Sequence, residues 1–154
     1  MSPQRIASSI RREVPLLPDT ACLRDAVAGI VDAHVPALPV VGANGRLLGI
    51  FGEREFIGAL FPGYVAQLGY AGFIPHSLDR ALEQRAGCAE EAVSKHMNTD
   101  HIDVDEDFSD TGLAEIFLHH RVLIIPIVAD GHVTGIITRE DFFRALSARL
   151  LELS

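Results

Sequence analysis

The residues best placed to do chemistry in this chain stand at the end of its last apolar run. Gly135-Ile136-Ile137 leads into Thr138, and Asp141 follows three residues later. A hydroxyl and a carboxylate at that spacing, where a strand gives way to a helix, have two uses. Thr138 can cap the helix while Asp141 favours the positive end of its dipole. A carboxylate there can also accept two hydroxyl donors, and such a junction offers backbone N–H groups to an anion. An earlier stretch, Gly49-Ile50-Phe51-Gly52-Glu53-Arg54-Glu55, has the same layout with weaker chemistry. Gly52 lacks the hydroxyl, and Glu55 is longer than aspartate by a methylene.

Other clusters carry less. Asp103, Asp105 and Asp107 alternate as at the start of a calcium loop. Phe108 stands where that loop needs glycine, and Ala114 where it needs glutamate, so these are read as solvated carboxylates. His119 and His120 are adjacent, which on a helix turns their rings about 100° apart and prevents easy sharing of one metal. With His96 and His101 they are read as surface histidines, and no metal site is expected. Cys22 lies near a helix start among apolar neighbours and reads as a packed thiol. Cys22 and Cys88 form neither a metal spacing nor a disulfide framework, which suits a reducing, cytoplasmic setting. No Ser-His-Asp order, P-loop or glycine-rich dinucleotide fingerprint occurs, so no catalytic residue is assigned and no enzyme is expected.

The elements that position Thr138 and Asp141 are written twice. Leu38-Pro39-Val40-Val41, Asn44-Gly45 and Leu48-Gly49-Ile50-Phe51 precede a helical run from Arg54. Ile125-Pro126-Ile127-Val128, Asp130-Gly131 and Thr134-Gly135-Ile136-Ile137 precede another from Arg139. Pro39 and Pro126 are 87 residues apart, and Gly49 and Gly135 are 86 apart, so the second turn is one residue shorter. A unit written twice predicts two half-cores that stack on each other with a cleft between them.

In the first copy, the spacing predicts a short helix over 3–12 with Pro3 at its start. It predicts a strand near 14–17 and a helix over 21–33 capped by Asp19 or Thr20, burying Leu23, Val27, Ile30 and Val31. Strands over 38–41 and 47–51 flank an Asn44-Gly45 turn of type I′, and a helix runs over 53–60. The second copy predicts a short helix carrying Val93 and Met97, a strand over 102–104, and a helix ending at His120 capped by Asp107 or Ser109. A hairpin over 123–138 then leads to a helix over 139–151 with Phe142, Leu146 and Leu150 on one stripe. Residues 61–92, with Tyr64, Tyr70, Phe73 and Ile74, are too apolar for a free linker and read as an ordered insertion. Within it, Ser77 could cap a helix over 78–85.

Composition bounds the rest. A 48% hydrophobic content supports a real core, and a net charge of −8 argues against nucleic acid and anionic membrane as partners. No stretch has the length and apolarity of a signal peptide or membrane span.

Each copy reads β-α-β-β-α, with a proline before one strand and a glycine opening the next. This resembles the cystathionine β-synthase (CBS) domain, and two in tandem resemble a Bateman module. The resemblance covers about residues 5–60 and 92–150; the repeats are assigned to 5–60 and 93–151. It implies an α/β fold of two pseudo-symmetric repeats with packed sheets and outer helices. It also implies a non-enzymatic regulatory module binding AMP, ADP, ATP or S-adenosylmethionine between the repeats, with no obligatory cofactor. Asp141 would then accept ribose hydroxyls, Thr138 would touch ribose or phosphate, and Thr99, Ile102, Ile125 and Pro126 would surround the base. Many nucleotide-binding members carry Arg or His shortly before the proline. Here Leu123 and Ile124, and Pro36 and Ala37, stand there. A triphosphate would therefore need Arg121, Arg139, Lys95 or a Mg²⁺ ion, and AMP or S-adenosylmethionine is expected over ATP. The alternative is a structural module that dimerises or docks to a partner, with vestigial clefts. A homodimer is expected, because the apolar segment from Phe61 to Ile74 and the helix face carrying Phe143 lack a partner within one module. A separate effector protein is a further expected partner.

Overall fold

The structure, a computed structural model, describes residues 6–61 and 78–154. The expectations for Pro3, the aromatic residues at 64–73, Ile74 and the Ser77 cap lie outside the described residues.

The first repeat is built on an apolar run whose every residue is buried, β2 (Ala37–Val41). It lies at the centre of a three-stranded sheet, between β1 (Leu17–Pro18), which is parallel to it, and β3 (Leu47–Gly52), which is antiparallel. Helix α1 (Leu23–Ala33) links β1 to β2, and α2 (Glu53–Leu60) follows β3. After α3 (Leu78–Gln84) comes the second repeat. There α4 (Asp110–His119) precedes β4 (Ile124–Ala129) and β5 (His132–Thr138), an antiparallel pair, and α5 (Arg139–Leu153) closes the chain. Val104 pairs in parallel with Ile127, as Leu17 does with Val40 in the first repeat. The strand expected over 102–104 is thus a single bridge.

The two repeats exchange their leading segments. Arg12 and Ile136 trade backbone hydrogen bonds, each 2.9 Å, at the edge of β5. Asn98 and Ile50 do the same at the edge of β3, at 2.8 and 2.9 Å. Both members of each pair are related by the repeat offset of 86. Packing follows the exchange. Ala7 and Ile10 join Phe108, Leu113, Ile125, Ile127, Ile137 and Phe142 in the second core. Cys88, Val93 and Met97 join Leu23, Leu38 and Phe51 in the first. Ile124 and Ile136 also lie in that first core, so side chains of the second sheet pack across the interface.

Several local expectations are corrected. The segment expected as a helix over 3–12 has only a 3-10 turn at Ala7–Ser9 among its described residues. Helix α1 begins at Leu23 after Cys22, which makes no side-chain cap, and Val31 is exposed rather than buried. It ends at His34, whose left-handed φ of 55° lets its N–H reach the carbonyls of Ile30 and Val31. Leu146 and Leu150 are exposed, leaving Phe142 as the buried residue of α5. The turn at Asp130-Gly131 has positive φ at both residues, 54° and 83°, as type I′ requires. In the first hairpin only Gly45 does, at 80°. Gly45 donates to the Gly42 carbonyl, and Gly42 to that of Arg46. The extra residue is absorbed by a three-residue loop with glycine in the left-handed position; both hairpins shift register at the equivalent place, Val40/Val41 and Ile127/Val128.

Candidate functional site

Between the repeats lies an open cleft of about 660 Å³, lined by His34, Val35, Pro36 and Glu53 of the first repeat and Leu123, Arg139, Glu140 and Phe143 of the second. Its walls correspond: Pro36 and Leu123 stand 87 apart, Glu53 and Arg139 stand 86 apart. The two strand-to-helix junctions therefore face one cavity through Glu53, Arg139 and Glu140, while Thr138 and Asp141 are not in its lining. Its size falls in the range of about 300–1,000 Å³ usual for small-molecule pockets. The lining holds one arginine and two glutamates beside His34, and so presents no cationic surface.

At the second junction, Thr138 is buried and its Oγ1 accepts the Asp141 backbone N–H at 3.1 Å, making it the N-cap of α5. The Asp141 carboxylate is held by Arg12, which donates Nε to Oδ2 at 2.6 Å and Nη2 to Oδ1 at 3.0 Å. The hydrogen bonds from Arg12, reinforced by its charge, hold the Asp141 carboxyl below the usual carboxylate range. The free N–H groups expected here are largely committed. That of Arg139 donates to the Leu123 carbonyl at 3.0 Å, and that of Asp141 goes to Thr138.

The first junction differs for a steric reason. A Cβ at Gly52 would lie 2.5 Å from the Ala37 Cβ and 2.6 Å from the Pro36 carbonyl, so a hydroxyl residue needs β2 to move. Glu55 instead reaches back to the Gly52 N–H at 2.9 Å, half of a capping box. Burial pushes its carboxyl up, against the pull of that hydrogen bond. Beside Glu55 is a small cavity of about 40 Å³, lined by Asn98, His101, Arg121 and Ile124 among others. This is room for water rather than a nucleoside. The buried His101 Nδ1 has no partner there, while Nε2 lies 3.5 Å from Asp103.

The structure thus divides the residues assigned to one site. Arg139 lines the central cleft, on the same helix as Asp141. Arg121 lines the cavity of Glu55, and Thr99 follows Asn98 at the edge of β3, on the first-repeat side. Ile102 is half-buried between His101 and the Val104 bridge. Ile125 lies in the second core with Leu113 and Phe142, one residue out of phase with Ile124, which lines the Glu55 cavity. Pro126 is buried, its carbonyl accepting the Val104 N–H at 3.0 Å. The expected ring of Thr99, Ile102, Ile125 and Pro126 around a base beside Asp141 is therefore not assembled. Segment exchange carries Asn98 and its neighbours to the other junction, and alternation turns Ile125 into the core. Arg12, absent from the sequence assignment, takes the place beside Asp141. The repeat offset, extended to the leading segment, pairs Arg12 with Asn98 and was the available signal.

The CBS domain family model matches residues 7–62 and again 91–148. The chain belongs to the CBS domain family. It is a tandem CBS pair, a Bateman module, and such pairs are regulatory modules, typically without catalytic activity. Solved structures agree in fold. A Vibrio cholerae protein named for acetoin utilization (AcuB) is 25% identical with a TM-score of 0.69, covering 97% of this chain and 94% of that one. A CBS-domain-containing protein from Agrobacterium tumefaciens is 23% identical with a TM-score of 0.67, covering 92% and 95%. CBSX2, solved in complex with AMP, is 19% identical with a TM-score of 0.66, covering 94% and 96%. Among the described residues of this CBS pair, no group of three or more His, Cys, Asp and Glu side chains is gathered to hold a metal ion, and no helix is long and apolar enough to cross a membrane.

Proposed function

We propose that this CBS pair is a sensor that binds an adenosine-containing ligand in the cleft between its repeats and passes occupancy to a partner. The observation that carries this reading is the 660 Å³ cleft onto which both strand-to-helix junctions open. The complex of CBSX2 with AMP supports adenosine as the ligand class. Asp141 is the ribose acceptor in this reading; it stands next to the lining residue Glu140 and outside the cleft's lining itself, with Thr138 holding its helix start. With Glu53 and Glu140 in the lining, AMP or S-adenosylmethionine is favoured over ATP, since added phosphate would meet these carboxylates. Occupancy acts by differential affinity for two conformers, which shifts their populations. The pair works as a homodimer in the cytoplasm and meets its effector protein there.

Thermal-shift and calorimetric titration with AMP, ADP, ATP and S-adenosylmethionine tests this. AMP or S-adenosylmethionine should raise the melting temperature more than ATP, and Asp141→Ala should weaken binding at least tenfold once Arg12 no longer occupies the carboxylate, that is, in an Arg12→Ala background. That follows from losing charge-assisted hydrogen bonds of about 1.5–3 kcal/mol each. Glu55→Ala should matter much less. Silence from all four ligands would favour a second reading, a dimerisation or docking module with vestigial clefts. The Arg12–Asp141 pair and the committed N–H groups of α5 are the observations in its favour.

A further inference from the structure

We propose that Arg12 is a built-in occupant of the Asp141 carboxylate and sets the affinity of the second-repeat site by competing with the ligand's ribose. The inference rests on the adenosine reading above. Arg12 gives Asp141 two N–H donors, one to each oxygen, at 2.6 and 3.0 Å. A vicinal diol offers a carboxylate the same pattern of two donors side by side. The guanidinium therefore stands where the diol would stand, and the two cannot both take this pair of oxygens.

The occupant is anchored on both sides. Its backbone trades hydrogen bonds with Ile136 in both directions. The preceding residue, Arg11, is fixed by Glu106 at 2.8 Å and by the Thr134 hydroxyl at 3.1 Å. Asp141 is seated in the first turn of α5 by its N–H on Thr138. The first repeat lacks the device. Asn98 holds the register position of Arg12 against Ile50, and Glu55 is turned to the Gly52 N–H instead. The occupant is confined to the repeat that keeps both Thr138 and Asp141.

The exchange is unequal. A charged donor pair bonds a carboxylate more strongly than a neutral diol does, so a ligand must add contacts elsewhere to displace Arg12. Removing the guanidinium should help most for adenosine, which carries the diol and no phosphate.

The test is calorimetric titration of adenosine, AMP, ATP and S-adenosylmethionine into the full chain. The variants are Arg12→Ala, Arg12→Gln, Asp141→Ala and the double variant Arg12→Ala/Asp141→Ala. Circular dichroism melts establish that each folds, and Arg12→Gln, which keeps most of the stem, carries the test where alanine does not fold. Adenosine should bind the Arg12 variants at least tenfold more tightly than the unaltered protein, and the double variant should lose that gain. Unchanged or weaker adenosine binding in a folded Arg12 variant, with some ligand still bound by the unaltered protein, would overturn the inference and leave the adenosine reading standing. A gain that survives Asp141→Ala would overturn it too, because the carboxylate would not be its source. No binding of any of the four ligands by the unaltered protein or by the Arg12 variants would overturn both.

Discussion

Glu55 and Asp141 occupy equivalent positions and titrate in opposite directions. Asp141 is held down by Arg12, so its ionised form stabilises the native state. That contribution is complete above the unfolded carboxylate range, near pH 4, and is lost as pH falls through the lower native value. Asp141→Asn should therefore lower the melting temperature at pH 7, with the difference fading in acid. Arg12 is 40% exposed, which limits the effect to about 1 kcal/mol. Glu55 is pushed up by burial, so its native form binds a proton more readily than its unfolded form. Stability is then lost as pH rises through the native value. Glu55→Gln removes that loss and keeps an oxygen to accept the Gly52 N–H. Relative to the unaltered protein, its melting temperature should rise between pH 4 and pH 7, the opposite trend to Asp141→Asn. Parallel melts across that range check both signs.

At the scale of elements, caps and turns decide where helices and strands begin. Ser109 accepts the Gly112 N–H at 3.0 Å and caps α4, whereas Asp107 spends its own N–H on the Asp105 side chain. Ser109→Ala should destabilise the fold by about 1 kcal/mol, read as a lower urea midpoint with an unchanged slope. Asp107→Ala should have a smaller effect; an equal loss would mean that the cap is shared. The boundaries of α2 and the start of α5 were legible because each follows directly from a strand pairing. Helix α1 was misplaced by two residues because its cap makes no side-chain hydrogen bond, which leaves no mark in the residue types. The hairpin turns show the limit of a dipeptide signal. Asn-Gly and Asp-Gly read alike, and the loop length chose between them.

For the whole molecule, the apolar residues left exposed on α5 matter most. Phe143 is 67% exposed and Leu150 66%, on a helix that also supplies the wall of the cleft. In the proposed homodimer this face is covered by a second copy, since a large exposed apolar surface favours association. Sedimentation at micromolar concentration should give twice the mass of one chain. Phe143→Glu together with Leu150→Glu should return it to a monomer without unfolding it, and a monomeric unaltered protein would remove the dimer from the account.

The repeat was determined by sequence alone, because it is a statement about spacing: 87 residues between the prolines, 86 between the glycines. From it came the two half-cores, the cleft between them and the prominence of Thr138 and Asp141. Period-two and helical patterns survive in the residue types because each strand or helix buries a face of its own. What surrounds Asp141 does not survive in this way. The leading segment of each repeat crosses to the other sheet, so Arg12 meets a carboxylate 129 positions away while Asn98 lines the cavity beside Glu55. An isolated hydrogen-bonding partner needs no periodicity and leaves none. Only the packing of the two half-cores brought that guanidinium and that carboxylate together.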